Sequence, residues 1–298
     1  MLKLVECVPN FSEGRRPEVI DAIVGEARAV SGVKVLDVKP DASHNRVVVT
    51  LVGEPQAVKA AAFHACAKAA ELIDMEQHHG EHPRIGATDV IPFVPISEVS
   101  MEECVELAEQ LGAEIAEKLN IPVYLYEAAA KSPARKNLPD IRKGQYEGLK
   151  QEIVKPERHP DFGPAKMHPR AGATVVGARQ FLVAYNINLG TSDVKIAKKI
   201  ANCIREAKGG YKYVRALGVM IEDRNVAQVT INMIDYTGTP LFRVFETVKS
   251  EAARYGVNII GSELVGLTPM QALLDVAEFY LRLEGFDRKQ VLENRLFE

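Results

Sequence analysis

The sequence predicts an α/β (α+β) fold made of two similar halves. Three observations carry that prediction. Apolar residues alternate at strand spacing or recur at helical spacing in a regular succession. The succession β-α-β-β-α-β, the ferredoxin-like unit, occurs twice. Proline opens and glycine closes several of the periodic segments.

The first copy opens with LKLVECV (2–8), a strand, and the loop PNFSEG. PEVIDAIVGEARAV (17–30) has apolar residues at helical spacing, with Pro17 at its start and Gly32 beyond its end. VKVLDV (33–38) and NRVVVTLVG (45–53) read as strands, and PQAVKAAAFHACAKAAELI (55–73) as an alanine-rich helix opened by Pro55. TDVIPFVPI (88–96) is extended, but its prolines predict a sheet edge or a loop.

The second copy repeats the order. FLVAYNINL (181–189) is a strand and SDVKIAKKIANCIREA (192–207) a helix with a Ser/Asp start. VRALGVMI (214–221) and NVAQVTINMIDY (225–236) are strands joined by the polar turn EDRN. TPLFRVFETVKSEAARYG (239–256) is a helix closed by Gly256; strand 257–264 and helix 270–285 follow. Between the copies lie a helix (101–119), a strand (122–126) and a long region, 127–179, rich in proline and glycine and read as irregular. A loop of that length inside a compact chain is functional or disordered, and the interleaved Phe162 and Arg170 favour a shaped, functional one. The boundary falls near 178–180, which gives subdomains 1–179 and 180–298. Each first strand ends with an asparagine shortly before a glycine, VPNFSEG and YNINLGT. A cleft between two lobes would have Asn10 and Asn188 at its floor.

Bulk properties exclude several classes of function. Of 298 residues, 47% are hydrophobic and 26% charged, and the net charge is −3. No basic surface advertises nucleic acid or an anionic membrane. No apolar run reaches the roughly 18–20 residues of a membrane span, and MLKLVECVPNF is too interrupted for a signal peptide. Cys7, Cys66, Cys104 and Cys203 are widely spaced, as expected of free thiols in a reducing cytoplasm. GATVVGAR (172–179) matches neither the dinucleotide fingerprint nor the P-loop.

The chemistry concentrates in QHHGEHPRIGATD (77–89), with three of the seven histidines. His78 and His82 have the spacing of a helical zinc pair. However, Gly80 separates them, and Pro83 biases His82 away from the helical region, so the segment reads as a loop and no metal is expected. Acid–base chemistry suits it better, because imidazole titrates near neutral pH and flanking glycines let a ligand approach. Glu81 and Asp89 are candidates to fix a tautomer, and Arg84 to clamp a carboxylate. Spacing alone does not say which histidine acts. His64 reads as structural; His44 precedes Asn45-Arg46 at a strand start, and His159 and His168 lie in the long region.

VECVPNFSEG (5–14), HHGEHPRIGATD (78–89), IPVYLYEAA (121–129), PDFGPAKMHPRAGATVVGAR (160–179), FLVAYNINL (181–189) and GSELVGLTPMQALLDVAEFY (261–280) resemble the formiminotransferase family. The resemblance covers residues 2 to 284. It implies two α/β subdomains facing each other through their sheets, with helices outside. It implies transfer of a formimino group from N-formimino-L-glutamate to tetrahydrofolate in histidine degradation, with folate as co-substrate and no metal. A stand-alone transferase without the cyclodeaminase, a homodimer and a cytoplasmic location are the accompanying expectations. Formyl transfer between 5-formyltetrahydrofolate and glutamate, or a non-catalytic folate-binding module, are the alternatives.

The family's catalytic histidine matches His82. Its folate-binding segment matches Gly163, Pro164, Ala165, Lys166, Met167, His168, Pro169, Arg170, Ala171 and Gly172. Animal members carry a tryptophan where this chain has Ala171, and this chain has no tryptophan. For that chemistry, Arg46, Arg84 and Arg170 are candidates for substrate carboxylates, His79 and Asp89 for support of His82, and Asp37 for the cationic amidine. Lys166 is a candidate for a polyglutamate tail.

Overall fold

The first strand is broken in two. β1 (Leu4–Cys7) and β2 (Asn10–Phe11) lie end to end between the same two neighbours, with Pro9, which has no N–H to donate, at the break. The computed structural model describes residues 2–296. After β2 come α1 (Pro17–Arg28), β3 (Val33–Asp41), β4 (Arg46–Gly53), α2 (Pro55–Leu72) and β5 (Thr88–Ser97). The strand order β3, β4, β1/β2, β5, antiparallel throughout, is the ferredoxin-like arrangement. α1 buries Val19, Ile20, Ile23, Val24 and Ala27, and α2 buries Val58, Ala61, Ala62, Ala65, Cys66 and Ala69, both at helical spacing. Alanines on α2 let the two helices pack closely on one face of the sheet.

Two expectations are corrected here. The proline-bearing segment 88–96 is no edge or loop: β5 is interior, flanked by β1/β2 and, on its other side, by β7 (Thr174–Ala178) in parallel. It tolerates Pro92 because that residue lies opposite the break after β1, where Val8 N–H donates to the Pro92 carbonyl at 3.2 Å. The region 127–179 is also not irregular. After α3 (Met101–Leu119) and β6 (Val123–Glu127) it forms α4 (Leu138–Ile141), α5 (Gln145–Glu152) and β7. β7 inserts between β5 and β6, parallel to both, so the first unit is a ferredoxin-like core extended by two strands. Parallel strands need long crossovers, and α3 and the 128–173 region supply them.

The chain divides into two compact units, 1–180 and 181–298. The second contains β8 (Val183–Leu189), α6 (Val194–Ile204), β9 (Val214–Ile221), β10 (Val226–Met233), α7 (Leu241–Ala253) and β11 (Ile259–Val265), followed by α8 (Met270–Leu281) and α9 (Leu292–Leu296). Its four strands run in the order β11, β8, β10, β9. Ile187, Leu189, Val229 and Ile231 alternate inward to meet Ile200, Val244 and Val248 of the helices. Cys7, Cys66 and Cys104 are buried and Cys203 is exposed; all four are free thiols. No helix among the described residues is long and apolar enough to cross a membrane.

The first unit's registers gather one set of loops. Phe11 pairs with Val47 and Thr88, Asp41 with Arg46, and Val90 with Val175. The loop after β2, the β3–β4 turn, the long α2–β5 loop and the segment entering β7 therefore all leave one end of the sheet.

Candidate functional site

Asn45 organises these loops. It adopts the left-handed region at φ 48°, which asparagine tolerates better than most residues, and closes the β3–β4 turn. Its Oδ1 accepts from Gly14 N–H at 3.0 Å, and its Nδ2 donates to the His79 carbonyl at 3.0 Å. Its own carbonyl accepts from His78 Nε2 at 2.9 Å. One buried residue thus ties together the loop after β2, the β3–β4 turn and the histidine loop. Gly80 is required where the histidine loop meets that turn: a Cβ there would stand 2.3 Å from the His44 carbonyl oxygen.

The three clustered histidines have three different fates. His78 is buried; Nε2–H donates to Asn45, and Nδ1 accepts from Arg84 Nε at 3.2 Å. Burial, then the Arg84 charge, hold it below its ordinary value despite the Asn45 bond, so it is a neutral structural group. His79 is exposed and enters the network through its carbonyl. His82 turns toward β4, where Arg46 Nη1–H donates to its Nε2 at 2.6 Å. That bond leaves the ring proton on Nδ1.

The electrostatics around His82 are cationic. Burial and then the charges of Arg46 and Arg142 push its pKa to about 2. At neutral pH the imidazole is uncharged. His44 stands edge-on to it, with ring centroids 6.4 Å apart, and is held by Asp41 at 2.8 Å.

The arginines differ in what they have left to give. Arg84 spends all five donors: Nε and Nη2 on His78, Nη1 on Gln145, and Nη1 and Nη2 on the two oxygens of Glu147. It clamps α5 to the histidine loop and has no donor free for a substrate. Arg142, beyond α4, is gripped by Asp89, whose other oxygen accepts from Ile85 N–H at 2.9 Å. Its Nε is buried without a partner among the described residues. Arg46 contributes Nη1 to His82 and retains other donors. Asp89 therefore reaches the His82 neighbourhood through Arg142, not by touching the ring.

The segment from Gly163 to Gly172 approaches the site at its far end. His168 and Gly172 pair by two backbone bonds, and His168 Nδ1 accepts from Ala171 N–H at 2.9 Å. Ala87 N–H donates to Ala171 and Ala173 N–H to Ile85, which stitches the hairpin to the residues after the histidine loop. Ala171 is 1% exposed and packs in the core, so this position offers a ligand no face. Met167 is buried too; Gly163, Lys166, Pro169 and Arg170 are exposed, and Pro164, Ala165 and His168 are half-buried. Among the described residues the Arg170 side chain pairs only with Asp74, at 4.0 Å.

The remaining candidates make no hydrogen bond to these groups among the described residues. Asn10 is buried on β2 and donates to the Val8 carbonyl at 2.9 Å. Asp37 pairs with Thr50 on the β3–β4 ladder, four residues before Asp41, the acid that does join the cluster. Asn188 belongs to the second unit, where its Oδ1 accepts from Gln228. Sequence reasoning missed Asn45, Arg142, Glu147 and the Asp41–His44 pair. Arg142 and Glu147 carry no local signal, but an asparagine at a tight strand–strand connection was a readable sign of a left-handed turn.

Comparison with known proteins adds the following. Residues 4–179 match the family model "Formiminotransferase domain, N-terminal subdomain", and residues 184–295 match "Formiminotransferase domain". A glutamate formimidoyltransferase of Streptococcus pyogenes serotype M1 is 54% identical over 99% of both chains. One from Thermoplasma acidophilum is 50% identical, over 99% of this chain and 98% of its own. The formimidoyltransferase-cyclodeaminase of Mus musculus is 48% identical over 99% of this chain, which spans 57% of that protein.

Proposed function

The chain belongs to the formiminotransferase family, and from that premise we infer that it moves the formimino group of N-formimino-L-glutamate to tetrahydrofolate. The products are 5-formimidoyltetrahydrofolate and L-glutamate. The observation that carries this reading is identity of 54% and 50%, essentially end to end, with two curated glutamate formimidoyltransferases. The pathway that fits is histidine degradation. Homodimerisation and a cytoplasmic location extend the same reading, and sedimentation of the purified chain tests the first.

The reaction joins an amine nitrogen to an amidine carbon. The donor amidine is cationic, so its carbon is already electrophilic, and the work lies in moving protons. N5 of tetrahydrofolate attacks that carbon and gains positive charge; its proton passes to Nε2 of His82. The imidazolium then returns the proton to the glutamate nitrogen as the bond from that nitrogen to the former amidine carbon breaks. One positioned imidazole serving both steps contributes on the order of 10²- to 10⁴-fold. Holding the two substrates together supplies the other large contribution.

In this reading Arg46 and Arg142, which retain donors, take substrate carboxylates, while Arg84 and Asp89 hold the loop and Arg142 in place. The segment Gly163–Gly172 carries the folate. Its attachment to residues 85–87 supports that role, because a ligand held there lies beside the histidine loop. The test is a two-substrate assay with formiminoglutamate and tetrahydrofolate, with 5-formyltetrahydrofolate and glutamate in parallel. Transfer only in the second pair would replace the reading with formyl transfer. Folate binding with no turnover on either would leave a binding module.

A further inference from the structure

We propose that Arg46 is a latch on His82: in the free protein its guanidinium occupies the nitrogen that must accept the proton, and a substrate carboxylate releases it. The proposal rests on the assignment of His82 as the proton carrier and concerns how that group is switched on.

The geometry carries the argument. Arg46 Nη1–H lies 2.6 Å from His82 Nε2, so the lone pair needed for proton transfer is already engaged. Arg46 has no carboxylate partner in hydrogen-bond range among the described residues, and Asp89 and Asp41 act on its charge only from farther away. The surroundings do not relieve it. On the β3–β4 turn stands His44, held by Asp41 at the end of β3. Beyond α4 stands Arg142, its charge opposed by Asp89 of β5. His78 of the same loop is turned away toward Asn45 and Arg84. Among the described residues no carboxylate hydrogen-bonds the His82 ring.

A substrate carboxylate has the features needed to open this arrangement. Arginine binds a planar carboxylate through two parallel N–H bonds, a stronger contact than one N–H to a neutral imidazole. As Arg46 turns to the carboxylate, its Nη1–H leaves Nε2 for oxygen, and the lone pair of His82 becomes free. The incoming negative charge also offsets the two arginines whose charges, with burial, keep His82 neutral. Both effects act together: the imidazole becomes an effective base only when a substrate bearing the carboxylate is in place. Arg46 is thus a positioning residue that couples binding to proton transfer.

The test follows the His82 ring directly. Histidine-labelled full-length protein is titrated by NMR, with the His82 signal assigned by its loss in His82→Asn. In the free wild type the signal is expected not to titrate between about pH 5 and 9. With saturating L-glutamate, the titration midpoint is expected to move by at least about one pH unit toward neutrality. Arg46→Gln is expected to titrate at higher pH than the free wild type without ligand, but below the ordinary histidine value because burial and Arg142 remain, while its KM for formiminoglutamate rises about tenfold or more. Free wild-type His82 titrating at its ordinary value would overturn the latch. So would an unchanged titration with glutamate bound, or a His82 midpoint in Arg46→Gln no higher than in the free wild type. If glutamate perturbs no resonance at all, the substrate assignment fails, and the comparison of free wild type with Arg46→Gln still decides the latch.

Discussion

His82 and Glu6 are two residues whose protonation the fold shifts through the range from acid to neutral pH, and they bend stability in opposite directions. Glu6 lies in β1 at 4% exposure, and burial raises its carboxyl to about 7 against a pull downward from Arg179. The folded state then holds a proton that the unfolded chain releases near 4.5, so stability falls as pH rises from about 4.5 to 7. Glu6→Gln should therefore be more stable than wild type at pH 8, by on the order of 3 kcal/mol. The gain should shrink toward pH 5; chemical denaturation at the two pH values measures it. Among site residues, the sequence pointed to a working histidine in this loop, and family resemblance chose His82. Arg142 and Glu147 were out of reach because they arrive from a different segment and act through contacts that only the fold creates.

At the scale of elements, the histidine loop is held from two sides. Arg84 pins it to α5 through Glu147, and Gly80 lets it lie against the β3–β4 turn. Arg84→Met removes five hydrogen bonds from a buried guanidinium and should cost about 2–3 kcal/mol, read from the denaturation midpoint. Gly80→Ala should lower kcat/KM at least about tenfold with a smaller change in midpoint, because it displaces the loop that carries His82 without opening the core. The helices and most strands were legible from period and punctuation. β5 and β7 were not. Prolines disguised β5 as an edge, although a break in its neighbour accommodates Pro92. β7 is a five-residue parallel strand buried throughout, so it shows no alternation, and two glycines flank or enter it.

For the molecule as a whole, His82 and Glu6 make opposed contributions to the pH profile. The pKa of His82 is depressed, so its contribution is present above about 6.5 and lost as pH falls toward 2. Glu6 contributes below about 4.5 and loses that contribution by 7. Between about 4.5 and 6.5 the slopes oppose each other. Glu6→Gln should unmask stability that rises with pH in this window, and His82→Gln should unmask stability that falls; denaturation across the window checks both. The double repeat was legible because two β-α-β-β-α-β successions each bury a core of their own. The extension of the first sheet by β6 and β7 was not.

The central claim is formimino transfer with His82 as the proton carrier. It is tested most directly by following 5-formimidoyltetrahydrofolate formation from formiminoglutamate and tetrahydrofolate in wild type and in His82→Ala. The account predicts transfer by the wild type and a kcat lower by about 10²- to 10⁴-fold in the variant, with folate affinity little changed. Absence of transfer by the wild type, or near-normal turnover in His82→Ala, would contradict it.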